Sequence, residues 1–157
     1  MTSVTMLTHP TPRIASLQFF LAAPEVGTSW YWDMAGYVLS QLPEMDLQGL
    51  SGYSYVSSNF SWGAAFSPVN VDAIGTEDTA GIQALWEPVF EYVNRTWPES
   101  RLQTQYTTYA SLLEWFLDTL DPLQPGLNEW STSHLMTAES MRDPQAVSEA
   151  WKTVTSV

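Results

Sequence analysis

The chain has 157 residues, 45% of them hydrophobic, which by size is one domain with enough apolar material for a sizeable core. Its 17 acids against five bases give a net charge of −12, which repels phosphate backbones and argues against a nucleic-acid partner. With no cysteine, disulfides, thiolate catalysis and thiolate metal sites are excluded; no stretch has the roughly 18 apolar residues of a membrane span and no secretion signal opens the chain, so the expectation is a cytoplasmic protein.

Residues 1–12, with Pro10 and Pro12, read as an extended lead-in to one α+β domain over residues 13–157. "RIASLQFFLAA", residues 13–23, alternates Ala15, Leu17, Phe19 and Leu21 against Ile14, Ser16, Gln18 and Phe20. That is a strand with one strongly apolar face. A helix follows, with Thr28 or Ser29 as its cap, Trp32, Ala35, Leu39 and Leu42 at near-helical spacing, and Pro43 as its stop. "GLSGYSYVSSNFSWGAAFSPV", residues 49–69, is an aromatic hairpin turning at Ser57, Ser58 and Asn59. Its second limb sets Phe60, Trp62, Ala64 and Phe66 on one face and Ser61, Gly63, Ala65 and Ser67 on the other. Small residues at every second position imply a close neighbour on that side.

"TEDTAGIQALWEPVFEYVNRTW" carries an i, i+3, i+4 stripe of Ile82, Leu85, Trp86, Val89, Phe90 and Val93. Thr76 and Thr79 offer caps, and Glu77 and Asp78 suit the positive end of a helix. Pro88 removes one backbone donor and is expected to kink this helix. "RLQTQYTT" is a short strand, and "YASLLEWFLDTL", residues 109–120, is an amphipathic helix ended by Asp121 and Pro122. "NEWSTSHLM" after Gly126 reads as a fifth strand, and Asp143 with Pro144 starts a last helix through Ala150, Trp151 and Val154. The first six elements have ferredoxin-like order, β-α-β-β-α-β. The expected architecture is an antiparallel sheet of about five strands with helices on one face and the other face open for a ligand or a dimer partner. Ile14, Phe20, Tyr53 or Trp62, Gln105 or Tyr106, and Trp130 compete for that open face, whose apolar breadth marks a binding surface.

The ordered set of segments resembles the substrate-binding domain of berberine-bridge-type FAD-linked oxidases, above all those of fungal secondary metabolism. "RIASLQFFL" is similar to the first strand of that domain. "SWYWDMAGYVLSQLPEMDLQGLSGYSYV" resembles its helix and glycine-tyrosine strand, and "TQYTTYASLLEWFLDTL" its tyrosine before an aromatic helix. "STSHLMTAESMRDPQAVSEAW" resembles the strand that turns into a helix at a Ser-Arg-Leu-Ile-Pro-type motif, with His134 in place of the arginine. In that family FAD sits in a separate domain. Nothing here resembles its Gly-rich pyrophosphate loop, and His9 lies outside any flavin-tethering context. The resemblance therefore implies ancestry from a flavoenzyme and no FAD bound by this chain alone.

Candidate chemistry follows from residue type. The His134 imidazole titrates near working pH and suits a general acid, base or carbonyl polariser, or else is a hydrogen-bonded core histidine. The phenols of Tyr53 and Tyr55 can donate to a developing enolate or carbonyl oxygen, or simply contribute area. Gln105, with Gln18, Gln103 and Thr132, supplies neutral hydrogen bonds of the kind that orient a ligand in an apolar pocket. Phe20, Trp62, Phe66, Tyr106 and Trp130 are candidate walls. No paired carboxylates and no His or acid cluster suggest glycosidase or metal chemistry. The expected function is a cofactor-free cyclase or isomerase, of Diels–Alder type among the options, acting on an apolar polyketide- or terpenoid-like natural-product intermediate. Its expected state is a homodimer through the open sheet face. The alternative is a non-catalytic substrate-binding module, or part of an FAD-linked oxidoreductase.

Overall fold

A computed structural model of the chain describes residues 12–68, 79–119 and 136–154. β1 (Ile14–Ala22) lies in the middle of the sheet, antiparallel to β3 (Phe60–Pro68) on one side and to β4 (Arg101–Tyr109) on the other. β2 (Ser51–Val56) pairs with the outer side of β3, giving the order β2-β3-β1-β4. This is the ferredoxin-like arrangement expected from the element order. The fifth strand proposed for "NEWSTSHLM" falls on residues outside those described, apart from Met136.

α1 (Tyr31–Ser40) and α3 (Ala80–Thr96) cover the face of β1 that carries Ala15, Leu17, Phe19 and Leu21. Phe19 is the pivot of this core: its ring lies 5.4 Å from Trp86 and 5.6 Å from Phe90, which stack on each other at 5.3 Å. Burying each such side chain contributes roughly 1.5–3 kcal/mol. The small residues of β3 now have their reason. Gly63 pairs with Phe19 across the sheet, and the Phe19 ring occupies the space where a Cβ on Gly63 would stand. Two residues earlier, the Ser61 hydroxyl meets the Tyr31 hydroxyl of α1 at 3.1 Å, tying helix to sheet. α6 (Pro144–Val154) forms a further layer on α1. Gly36 lets the two backbones approach, since a Cβ there would stand 2.6 Å from the Pro144 carbonyl oxygen.

Several helix boundaries differ from expectation. Pro43 does not end the structure; it sits in the first turn of α2 (Leu42–Leu47), where its missing N–H has no partner to lose. The N-cap of α1 is Trp30, without a side-chain bond, while the Thr28 hydroxyl donates to the Glu25 carbonyl instead of capping. α3 runs as one helix of 17 residues through Pro88. Asp143 caps α6 as expected, its carboxylate accepting from the N–H groups of Gln145 and Ala146 at 3.0 and 3.3 Å. Between β4 and the last helices, α4 (Leu112–Thr119) departs from a one-sided helix layer and packs on the opposite face of the sheet. The short α5 (Ala138–Met141) precedes α6.

Candidate functional site: the face opposite α1 and α3

Strand alternation and register together define this face. β1 contributes Ile14, Ser16, Gln18 and Phe20, aligned with Phe66, Ala64 and Trp62 of β3 and with Thr107, Gln105 and Gln103 of β4. β2 adds Tyr53 opposite Ala64 and Tyr55 opposite Trp62. Both members of the Tyr53/Trp62 alternative therefore belong to it. Tyr106 does not: it pairs with Leu17 and packs against the α1/α3 core, where burial first and the Glu87 charge second raise its pKa. One step along β4 reverses the side chain, so Gln105 takes the place considered for either residue.

One end of the face is closed. α4 lays Trp115 across it, with the indole N–H donating to the Ser16 hydroxyl at 2.8 Å and the ring 4.5 Å from Phe66. Tyr109 donates to the Asp118 carboxylate at 2.6 Å, and burial followed by that bond to Asp118 pushes its phenol up. At the C-terminal end of α4, Thr119 receives Gln18 Nε2 on its hydroxyl at 3.4 Å and the Tyr53 hydroxyl on its carbonyl at 3.5 Å. Ile14, Ala64, Tyr109 and Trp115 thus make a small second core, with Tyr53, Trp62 and Phe66 on its margin. Phe66, a candidate wall, is consumed in this packing.

Beyond α4 no helix among the described residues crosses the face. Trp62 stands between Tyr53 at 5.2 Å and Tyr55 at 6.1 Å, and Phe20 stacks on Phe60 at 5.7 Å. Tyr55 is 64% exposed. A shallow hollow of about 280 Å³ is lined by Gln18, Phe20, Trp62, Gln103 and Gln105, so five residues singled out from the sequence meet in one place. His134, Trp130 and Thr132 lie outside the described residues. Ser16, Tyr109, Trp115 and Thr119 were missed by sequence reasoning. Their signal was "LLEWFL", a helical stretch apolar on more than one side and hence in need of cover on more than one side.

The chemistry available in the hollow is neutral. Its polar groups are three amides, beside the phenols of Tyr53 and Tyr55, with the Arg101 guanidinium at the end of the same face of β4. A dinucleotide diphosphate needs several converging N–H donors or cations, so these residues do not fit a whole FAD. No group of three His, Cys, Asp or Glu that could hold a metal ion occurs among the described residues. No helix among them is long and apolar enough to cross a membrane. A second and more apolar cavity, of about 320 Å³, lies on the other side of the sheet beneath α1 and α2, with Asp46 and Tyr53 among its lining residues and none of the three amides.

No protein-family model matches the sequence, and no curated protein matches it. Solved structures do. The VAO-type flavoprotein MtVAO713 from Myceliophthora thermophila C1 aligns with 92% of this chain at a TM-score of 0.68 and 14% identity. MtVAO615 from the same organism aligns with 95% of it at 0.71 and 15%. The fold is that of a VAO-type flavoprotein segment. The chain spans about a quarter of those proteins, 26% and 27% of their lengths. The resemblance read from the sequence motifs is thereby borne out at the level of the fold.

Proposed function

We propose that this chain is a substrate-holding module of VAO-type ancestry, which receives a flat, apolar, neutral organic molecule on the open end of its sheet. The observation that carries the reading is the concentration of Phe20, Tyr53, Tyr55 and Trp62 with Gln18, Gln103 and Gln105 on that one face. Aromatic faces supply area at low entropic cost, and the amides select a ligand with carbonyl or hydroxyl groups at fixed spacing. In this reading redox chemistry belongs to a flavin-bearing domain, on a longer chain or a separate one. Titration with flavone, followed by Trp fluorescence, tests it. Binding is expected, with Trp62→Ala and Gln105→Ala each weakening it by about tenfold, the loss of roughly 1.4 kcal/mol of contact. Equal affinity in both variants would end the proposal.

A second reading follows from the neutrality of the donors. A cofactor-free cyclase or isomerase needs a cavity that holds a near-attack conformer and a phenol or amide that polarises a carbonyl. Tyr53, Tyr55 and Gln105 supply such groups on this face, His134 would act with them, and a second copy of the chain would close the face. It requires conversion of a linear polyene precursor by protein without visible flavin absorbance, slowed by His134→Ala and Tyr53→Phe. It also requires a dimer by light scattering. A yellow preparation, or a monomer that converts nothing, leaves the binding module alone.

A further inference from the structure

β2 is an outer strand of the sheet, and no strand among the described residues pairs with its far side. The hairpin fixes which groups point there. Ser57 N–H donates to the Phe60 carbonyl at 2.8 Å. Antiparallel ladders alternate from such a pair, so Tyr55, Tyr53 and Ser51 bond to β3, while Val56, Ser54 and Gly52 turn their N–H and C=O groups outward. Open edges are commonly blunted by Lys, Pro or a bulge. "SGYSYV" has no charge and no proline, and its pairing with β3 runs without a bulge.

Gly52, Ser54 and Val56 also line the hollow of about 320 Å³ on the helix side. Val38 and Leu39 of α1 and Leu42 and Met45 of α2 form its apolar wall, and its exposed members, Asp46, Ser51 and Gly52, set its mouth beside the strand edge. A strand laid along β2 projects alternate side chains over this groove. From the open edge and the groove beside it, we infer that β2 and α2 together receive an extended segment of a partner protein, which joins the sheet as an added strand. The side chains it turns toward α2 are large and apolar. Charge sets the second requirement. Asp46 stands in the groove wall with no base bonded to it among the described residues, and the chain carries a net charge of −12, so a Lys or Arg flanks the apolar pair. A second copy of this chain does not meet that description. Its β2 would offer the small Gly52, Ser54 and Val56 to the groove and set acid against acid.

The test uses the synthetic peptide KTFTLTK, whose Phe, Leu and two Lys share one face of a strand. In ¹H–¹⁵N spectra of the full chain, it should shift the amides of Gly52, Ser54 and Val56 and slow their hydrogen exchange, leaving Tyr53 and Tyr55 amides as they were. A dissociation constant on the order of 100 µM is expected for so short a segment. KTATATK, ETFTLTE and a KTFTLTK methylated on the backbone nitrogens of Phe and Leu should each bind at least about tenfold more weakly. Two variants test the same contacts from the protein. Ser54→Pro removes an outward N–H without touching the β3 ladder and should weaken KTFTLTK about tenfold. Asp46→Lys should reverse the preference between the Lys and Glu peptides. If Ser54→Pro fails to fold, Asp46→Lys and the methylated peptide still decide. The inference is overturned by no binding at millimolar KTFTLTK or by equal binding of the methylated peptide. Slow exchange at Gly52, Ser54 and Val56 before any peptide is added would also overturn it, since the edge would already be covered.

Discussion

On one side of the sheet, Leu17, Phe19 and Leu21 are buried beneath α1 and α3, and the Phe19 ring meets both Trp86 and Phe90. On the other side, Gln18 and Phe20 of the same strand are only half covered, and among the described residues α4 meets this face through Trp115, Asp118 and Thr119. The two faces share their backbone and differ in cover. The first holds the fold together; the second presents rings and amides beyond what stability requires. That contrast locates function, because natural chains seldom keep Tyr55 and Trp62 side by side on a surface that nothing meets.

The contrast can be broken most sharply with neighbouring phenylalanines. Phe19→Ala, on the covered face, should cost about 3–5 kcal/mol in urea unfolding, the usual range for a buried Phe whose cavity cannot collapse. Phe20→Ala, one residue on, should cost about 1 kcal/mol while weakening flavone binding. Equal losses from the two would mean that both faces are core. Gly63→Ala tests the same boundary from the partner strand. Its new Cβ meets the Phe19 ring, which Trp86 and Phe90 hold in place, so a loss of about 1–3 kcal/mol is expected, with the β2 hairpin still formed.

Two smaller effects depend on pH. Burial pushes the Tyr31 phenol up to about 12, with the Ser61 bond partly opposing the rise. Its pKa is higher in the folded state than the ordinary 10.0, so its contribution is complete below pH 10 and is lost as pH climbs toward 12. Tyr31→Phe should cost about 1 kcal/mol at pH 7 through the lost hydroxyl pair, yet flatten the alkaline limb of a stability–pH curve. At Asp33, burial favours the neutral acid, but bonds from Lys152 and Ser148 outweigh it and hold the carboxyl below 3.8. Its stabilisation is therefore present above pH 3.8 and disappears as pH falls through the lowered value. The pair is largely solvent-exposed, so Asp33→Asn should cost about 0.5 kcal/mol or less at pH 7 and progressively less as pH falls through the lowered value. Neither substitution should change flavone affinity, since both residues lie on the helix side.

Much of this was legible in the chain itself. Period-two alternation in "RIASLQFFL" and in "FSWGAAFSP" separated large from small side chains before any neighbour was known, because successive residues of a strand must point to opposite sides. The element order implied the β2-β3-β1-β4 sheet, since short connections and antiparallel hairpins leave few alternatives. Gln18, Phe20, Trp62, Gln103 and Gln105 were candidates on type alone, and the register brings them together. What the sequence could not convey was cover. A helix carries its apolar stripe to whichever surface lies within reach, so only the packed molecule decides that α4 crosses to the Trp62 side while Tyr106 turns under α3. Pro43 could end one helix or begin another, and the position of Leu42 and Met45 over the sheet settles it. The cavity beneath α1 is likewise a sum over Gly52, Ala35 and Ala65, three positions far apart in the chain. Periodicity is local and reads directly from residues; which surfaces meet depends on volumes summed over distant ones, and only the folded chain performs that sum.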